Sequence, residues 1–271
     1  MPIRGLWVDD PISHVTAAPF WDEVKAHRIT TAAIMLESFG NGFDPKYKVK
    51  DLEKVKTLAR ERDIEIVLTV CPEPSSTYLG DLDARIGELL AASGAAGLEF
   101  DMEGNWLPIK ADGFGSIDEA GSVLALIFHE TMESRDVRIE VTTYPYHTEN
   151  SKTADLAPYA SRLLPQAYSV RHRDGKELSW ADRLGPGNMQ KLTLDRALLV
   201  RGVGSPAGPL VSCGLAAWDQ IWPGRPGEES MHTAYEAALK YTPFEIRWWS
   251  SKWVLGCQAN GYASRFLKSL G

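Results

Sequence analysis

Residues 64–103 read IEIVLTVCPEPSSTYLGDLDARIGELLAASGAAGLEFDME. The opening run, 64–70, is apolar on both faces, as a strand inside a parallel sheet reads. It closes at Cys71-Pro72-Glu73-Pro74. The segment 81–93 then sets Leu82, Ile86, Leu89 and Leu90 on one helical face. A second apolar run follows at 96–103. Strand, helix and strand in this order form a βαβ unit with parallel strands.

The unit recurs in both directions. Strand-like runs stand at 3–9 (IRGLWVD), 31–36 (TAAIML), 64–70, 96–103 (AGLEFDME), 137–143 (VRIEVTT), 163–168 (LLPQAY), 210–218 and 245–250 (EIRWWS). Helical patterns lie between them near 18–28, 50–62, 81–93, 116–134, 153–162, 188–200 and 228–240, and a last one runs to Gly271. Ser116, with Glu119 three residues on, makes a capping box for the fourth. Pro165 counts against the sixth strand, because proline has no N–H for a ladder. Strands alternating strictly with helices predict an α/β fold, a (β/α)8 TIM barrel, with 1–271 as a single domain. The length of 271 residues is close to the roughly 250 typical of such barrels. An open doubly wound sheet would carry a glycine-rich phosphate turn after its first strand. Here that position reads VDDP.

Bulk composition narrows the function classes. A chain with 44% hydrophobic and 24% charged residues builds an ordinary globular core without staples. Cys71, Cys213 and Cys257 cannot all pair and form no CxxC, so neither a disulfide framework nor structural zinc is expected. The start, MPIRGLWVDD, lacks an apolar h-region, which predicts cytoplasmic synthesis without a signal peptide. No run approaches the roughly 18 apolar residues that membrane insertion needs. A net charge of −7 argues against general nucleic-acid binding. The histidines show no HxH or HExxH spacing, and strand one, where a metal-dependent hydrolase barrel would want histidine, has none. No metal and no cofactor is expected. A GxSxG elbow is missing too. Phosphate-handling barrels carry a glycine-rich loop late in the chain, which GRPG at 224–227 matches only partly. Oligomeric state is left open.

Reactive residues of such barrels sit at the C-terminal ends of strands. Those ends offer Asp9, Glu37, Glu73, Glu99, Asp101, Glu103, Tyr144, Gln166, Tyr168, Trp218, Asp219 and Trp249. The fourth run is the most informative. Side chains alternate faces, so Glu99, Asp101 and Glu103 point one way, and Leu98, Phe100 and Met102 the other. The apolar set suits packing under helices, which turns the acids into the barrel. Crowded buried carboxylates raise at least one pKa and leave an acid able to donate a proton near neutrality. Six of nine tryptophans, Trp7, Trp106, Trp218, Trp222, Trp248 and Trp249, also fall at or just after strand ends. Their flat rings suit the apolar faces of sugars in a ligand groove.

These residues resemble a known family. Gly97-Leu98-Glu99-Phe100-Asp101-Met102-Glu103 is similar to the fourth-strand motif of chitinase-type (family 18) glycoside hydrolases, and its Asp-x-Glu ending looks like that of family 25 lysozymes. Tyr168 resembles a family 18 tyrosine, and the Trp248-Trp249 pair is similar to the one flooring their sugar pocket. The pattern departs at Glu99, where family 18 carries aspartate, and at WWSS, where family 25 would carry an Asp-x-Asn-like strand.

The resemblance implies a hydrolase of glycans containing N-acetylhexosamine, such as peptidoglycan or chitin-like polymers. Glu103 would be the general acid, and Asp101 would orient an N-acetyl group acting as internal nucleophile. Tyr168 would donate to the acetamido oxygen, and Asp9 and Gln166 would contact sugar. On a neutral glycan Asp9 or Asp219 would serve as second carboxylate. Glu99, Tyr144, Trp218, Asp219 and Trp249 complete the expected binding residues. A chain without a leader and with unpaired cysteine resembles a phage endolysin or an intracellular glycan-processing enzyme. A non-catalytic, lectin-like barrel is the competing reading.

Overall fold

The computed structural model describes residues 2–37, 43–102, 106, 112–143, 152–168, 185–202, 209–217, 227–255 and 261–270. Its strands are β1 (Ile3–Val8), β2 (Thr31–Met35), β3 (Glu65–Val70), β4 (Gly97–Asp101), β5 (Arg138–Thr143), β6 (Arg162–Pro165), β7 (Leu210–Val211), β8 (Cys213–Ala216) and β9 (Glu245–Trp249). All pairings are parallel, in the order β7-β6-β5-β4-β3-β2-β1-β9-β8. The seventh expected strand is thus two short pieces broken at Ser212, β7 pairing with β6 and β8 with β9. Across the break, Ser212 N donates to Leu163 O at 2.9 Å, and Ala167 N to Gly214 O at 2.8 Å. A bridge between Gln166 and Gly214 completes the join. The interrupted strand reaches both ends of the sheet and shuts it into a (β/α)8 TIM barrel.

The connecting helices are α1 (Ile12–Val15), α2 (Ala18–Ala26), α3 (Val49–Arg60), α4 (Ser76–Ser93), α5 (Ile117–Arg135), α6 (Thr153–Leu156), α7 (Asn188–Gly202), α8 (Gly227–Leu239), α9 (Ser251–Val254) and α10 (Gly261–Ser269). Ser116 caps α5 as expected, its hydroxyl accepting from Glu119 N at 3.2 Å. The helix expected over 153–162 is shorter. After α6 the chain tightens into a 3-10 turn, Ala157–Tyr159, and Arg162 already opens β6. Pro158 is the reason, since its ring supplies no N–H and crowds the carbonyl four residues back. Pro165 does stay within β6, opposite Thr143. The donor it lacks is replaced one residue on, where Gln166 N bonds Thr143 O at 2.9 Å.

Strand alternation divides the buried apolar residues into two bodies. Leu6, Ile34, Leu68, Leu98, Phe100, Val141 and Trp248 face outward and join one core with the helices. Trp7, Ala33, Val67, Leu164 and Tyr168 form a separate inner cluster, with Ala216 and Trp249 against it. Gly214 makes room for this inner layer, because a Cβ there would lie 2.7 Å from the Trp7 indole. Gly214→Ala is therefore expected to displace Trp7 and to destabilise by about 1–3 kcal/mol. Thermal melting and the near-UV dichroism of the indole check both effects.

Candidate active site at the barrel mouth

Below the inner aromatic layer the barrel is filled with charge. Arg247, completely buried on β9, donates to Glu99 on β4, to Glu140 on β5 at 2.7 Å and to Glu245 at 2.8 Å. Arg162 on β6 joins Glu140 and Glu245, at 3.1 Å each. Arg138 bonds Glu140 at 2.6 Å and pairs with Glu65 towards the rim. Gly5 admits this network, since a Cβ there would lie 2.0 Å from Glu245 Oε1. Burial pushes Glu140 up, but Arg247, Arg138 and Arg162 together bring it below the usual carboxylate range. For Glu99 burial wins, raising it to about 7 against the pull of Arg247.

Glu99 and Asp101 both face inward, as alternation predicts, but they occupy different layers. Glu99 was expected among the sugar contacts. It lies instead under the aromatic floor, fully buried, with Oε1 accepting from Trp7 Nε1 at 2.6 Å and Thr69 Oγ1 at 3.0 Å, and Oε2 held by Arg247. Both of its oxygens are taken up by protein groups, so its geometry is that of a support for Trp7. Asp101, one inward position further along, accepts from Gln166 Nε2 at 2.9 Å. Those two expected site residues are brought together at the ends of β4 and β6.

The tryptophans divide in the same way. Trp249 lies inside, its ring 5.9 Å from Trp7, and Tyr168 meets Trp7 edge-on at 6.5 Å. Trp248 faces the opposite side, packed on Tyr235 and Phe266 under the helices. Trp106 is buried, with Nε1 donating to Pro72 O at 2.6 Å. The expected groove of six tryptophans therefore has, among the described residues, Trp7 and Trp249 as its inner members. Asp9 stands at the end of β1, half-buried between Lys252 at 2.8 Å and Lys46 at 3.4 Å. Glu103, Tyr144, Trp218, Trp222, Asp219 and Cys257 lie outside the described residues.

One charged residue of the interior was not singled out from sequence, and a second was named only as a strand end. Arg247 could have been read from the alternating Glu245-Ile246-Arg247, which sets both charges on one face. Glu37 follows β2, and only its place at a strand end signals it. Among the described residues no group of three or more His, Cys, Asp or Glu is arranged to hold a metal ion. Nor is any described helix long and apolar enough to cross a membrane.

No protein-family model matches the chain, and no curated protein matches it. Solved structures do. A GH5-4 broad-specificity endoglucanase from Clostridium longisporum aligns with a TM-score of 0.62 at 14% identity, covering 99% of this chain and 94% of that one. The spore cortex-lytic enzyme SleL of Bacillus megaterium QM B1551 gives 0.60 at 10% identity, covering 99% and 74%. A xylanase-alpha-amylase inhibitor protein, solved with trehalose, gives 0.59 at 14% identity, covering 98% of each chain. What these proteins share with this one is the barrel. Fold does not assign a reaction, which resides in the residues at the mouth.

Proposed function

We propose that this barrel is a glycoside hydrolase, with a glycan containing N-acetylhexosamine as substrate and Glu103 as its general acid. One observation carries the reading: the nearly buried Asp101 is held by Gln166 at the strand ends, beside an inner layer of Trp7, Tyr168 and Trp249. A pyranose has an apolar face for flat rings and a polar edge for a fixed carboxylate.

In this mechanism Glu103 gives its proton to the leaving glycosidic oxygen as that bond breaks. The acetamido oxygen of the substrate forms the new bond to the anomeric carbon. Asp101 orients the acetamido group and balances the positive charge that develops there. Tyr168 donates to the acetamido oxygen. Water, deprotonated by Glu103, then opens the cyclic intermediate and restores the acid. Asp9, Tyr144, Trp218, Asp219 and Trp249 line the sugar sites. Glu99 acts through Trp7, whose indole N–H it fixes.

Reducing-end release from peptidoglycan, chitin oligomers and a neutral glucan, assayed side by side, tests this. Release from the first two is expected. Release from the glucan alone would move the second carboxylate to Asp9 or Asp219. Binding without release would make the barrel a sugar-binding protein. Asp101→Asn is expected to lower kcat on the order of a hundredfold or more, while affinity changes only a few-fold. Equal losses in both would reduce Asp101 to a plain ligand contact.

A further inference from the structure

An acid at the end of β2 has no part in that mechanism. The inward positions of this strand are Thr31, Ala33 and Met35, Ala33 belonging to the inner cluster, and Glu37 continues the series at the C-terminal end. Glu37 is 3% exposed. Its Oε1 accepts from the Tyr78 hydroxyl on α4 and from Cys71 N at 3.0 Å. Its Oε2 is buried with no hydrogen-bond partner among the described residues. The titratable groups around it are Tyr78 from α4, Cys71 and Glu73 beyond β3, and Asp44 beyond β2. No cation pairs with it among the described residues.

An ionised Glu37 would be a buried anion, half-satisfied and facing further acids. The neutral acid resolves this. Oε1 keeps both incoming bonds as a carbonyl oxygen, and the proton sits on Oε2, which becomes a donor in need of an acceptor. Burial accordingly raises Glu37 to about 7, against the two hydrogen bonds that favour the anion.

We propose that Glu37 is a further substrate-contacting residue of the mouth, its Oε2–H donating a hydrogen bond to a hydroxyl or acyl oxygen of the bound glycan. This rests on the sugar-binding half of the function proposed above, not on the hydrolytic half. It requires the acid form, so glycan affinity falls as the proton leaves.

Calorimetric titration of the full chain with chitin oligomers, a soluble peptidoglycan fragment and a neutral glucan oligomer tests it. The wild-type Kd is expected to weaken about tenfold between about pH 6 and about pH 8, the worth of one hydrogen bond. Glu37→Gln keeps the Oε1 acceptor and sets a permanent N–H donor in place of Oε2, so its Kd should stay tight at both pH values. Glu37→Leu should bind weakly at both.

A Glu37→Leu protein that binds like wild type at the lower pH overturns the proposal. So does a Glu37→Gln protein that follows the wild-type profile, which would assign the pH dependence to Glu99, raised to about the same value. Should the leucine variant fail to fold, the comparison of glutamine variant with wild type decides alone. If none of the three glycans binds, this proposal and the functional reading fall together. Binding without hydrolysis removes the hydrolase and leaves Glu37 to be judged on Kd.

Discussion

Arg247→Met is expected to cost about 3–5 kcal/mol of stability and to lower Tm by roughly 10 °C. The substitution keeps most of the volume and removes the one cation that binds Glu99, Glu140 and Glu245 together. Breaking a buried pair from one side is costly, because the abandoned acid must sit uncompensated in the interior or be neutralised by a proton. Arg138 and Arg162 would still hold Glu140, and Arg162 would still reach Glu245. Glu99 has no other cation among the described residues, so it takes up a proton.

The sign of its pH dependence follows. Burial raises Glu99 from 4.5 to about 7, so the folded state binds protons more tightly than the unfolded chain. Its contribution is full below the unfolded value and is lost as pH rises through about 7. Without Arg247 to oppose burial, that loss should extend to higher pH and grow in total. Melting curves across this range, with Arg247→Lys beside Arg247→Met, would show it. A methionine variant as stable as wild type at every pH would mean that the network contributes no net stability.

Glu103→Gln is expected to lower hydrolysis on the order of a hundred- to ten-thousand-fold while leaving Tm unchanged. The amide has the volume of the acid and no proton to give to a leaving oxygen. Reducing-end assays beside thermal melts separate the two effects. Full activity of the variant would place the acid elsewhere, with Glu37 and Asp219 as the next groups to replace.

Much of the barrel could be read from strands and helices alternating along the chain, because each βαβ unit is a local pattern. Differences arose where long-range partners decide. Only the closure of the sheet on itself draws Leu210–Val211 to β6 and Cys213–Ala216 to β9. Period-two alternation turned Glu99 and Asp101 inward correctly. It could not show that the fully buried Arg247, 148 positions away, takes one of the two out of reach of ligands. The same alternation, applied to Trp248-Trp249, already separates a ring for the mouth from a ring for the helices. Charged residues at alternate positions of β5 and β9 share one face, yet the matching of each arginine to its glutamates exists only in three dimensions.

Gln166 has two duties at once. It sits at the bridge to Gly214 where the barrel wall meets itself, and it also holds Asp101. The pieces that close this wall, β7 and β8, are two and four residues long. Short pairing opens at lower free energy than the long ladders opposite. Breathing at that joint therefore carries away the amide that holds Asp101, and the geometry of the proposed site cannot outlast closure of the wall. Amide exchange at Ala167, whose N–H crosses the joint, is a direct clock for that opening.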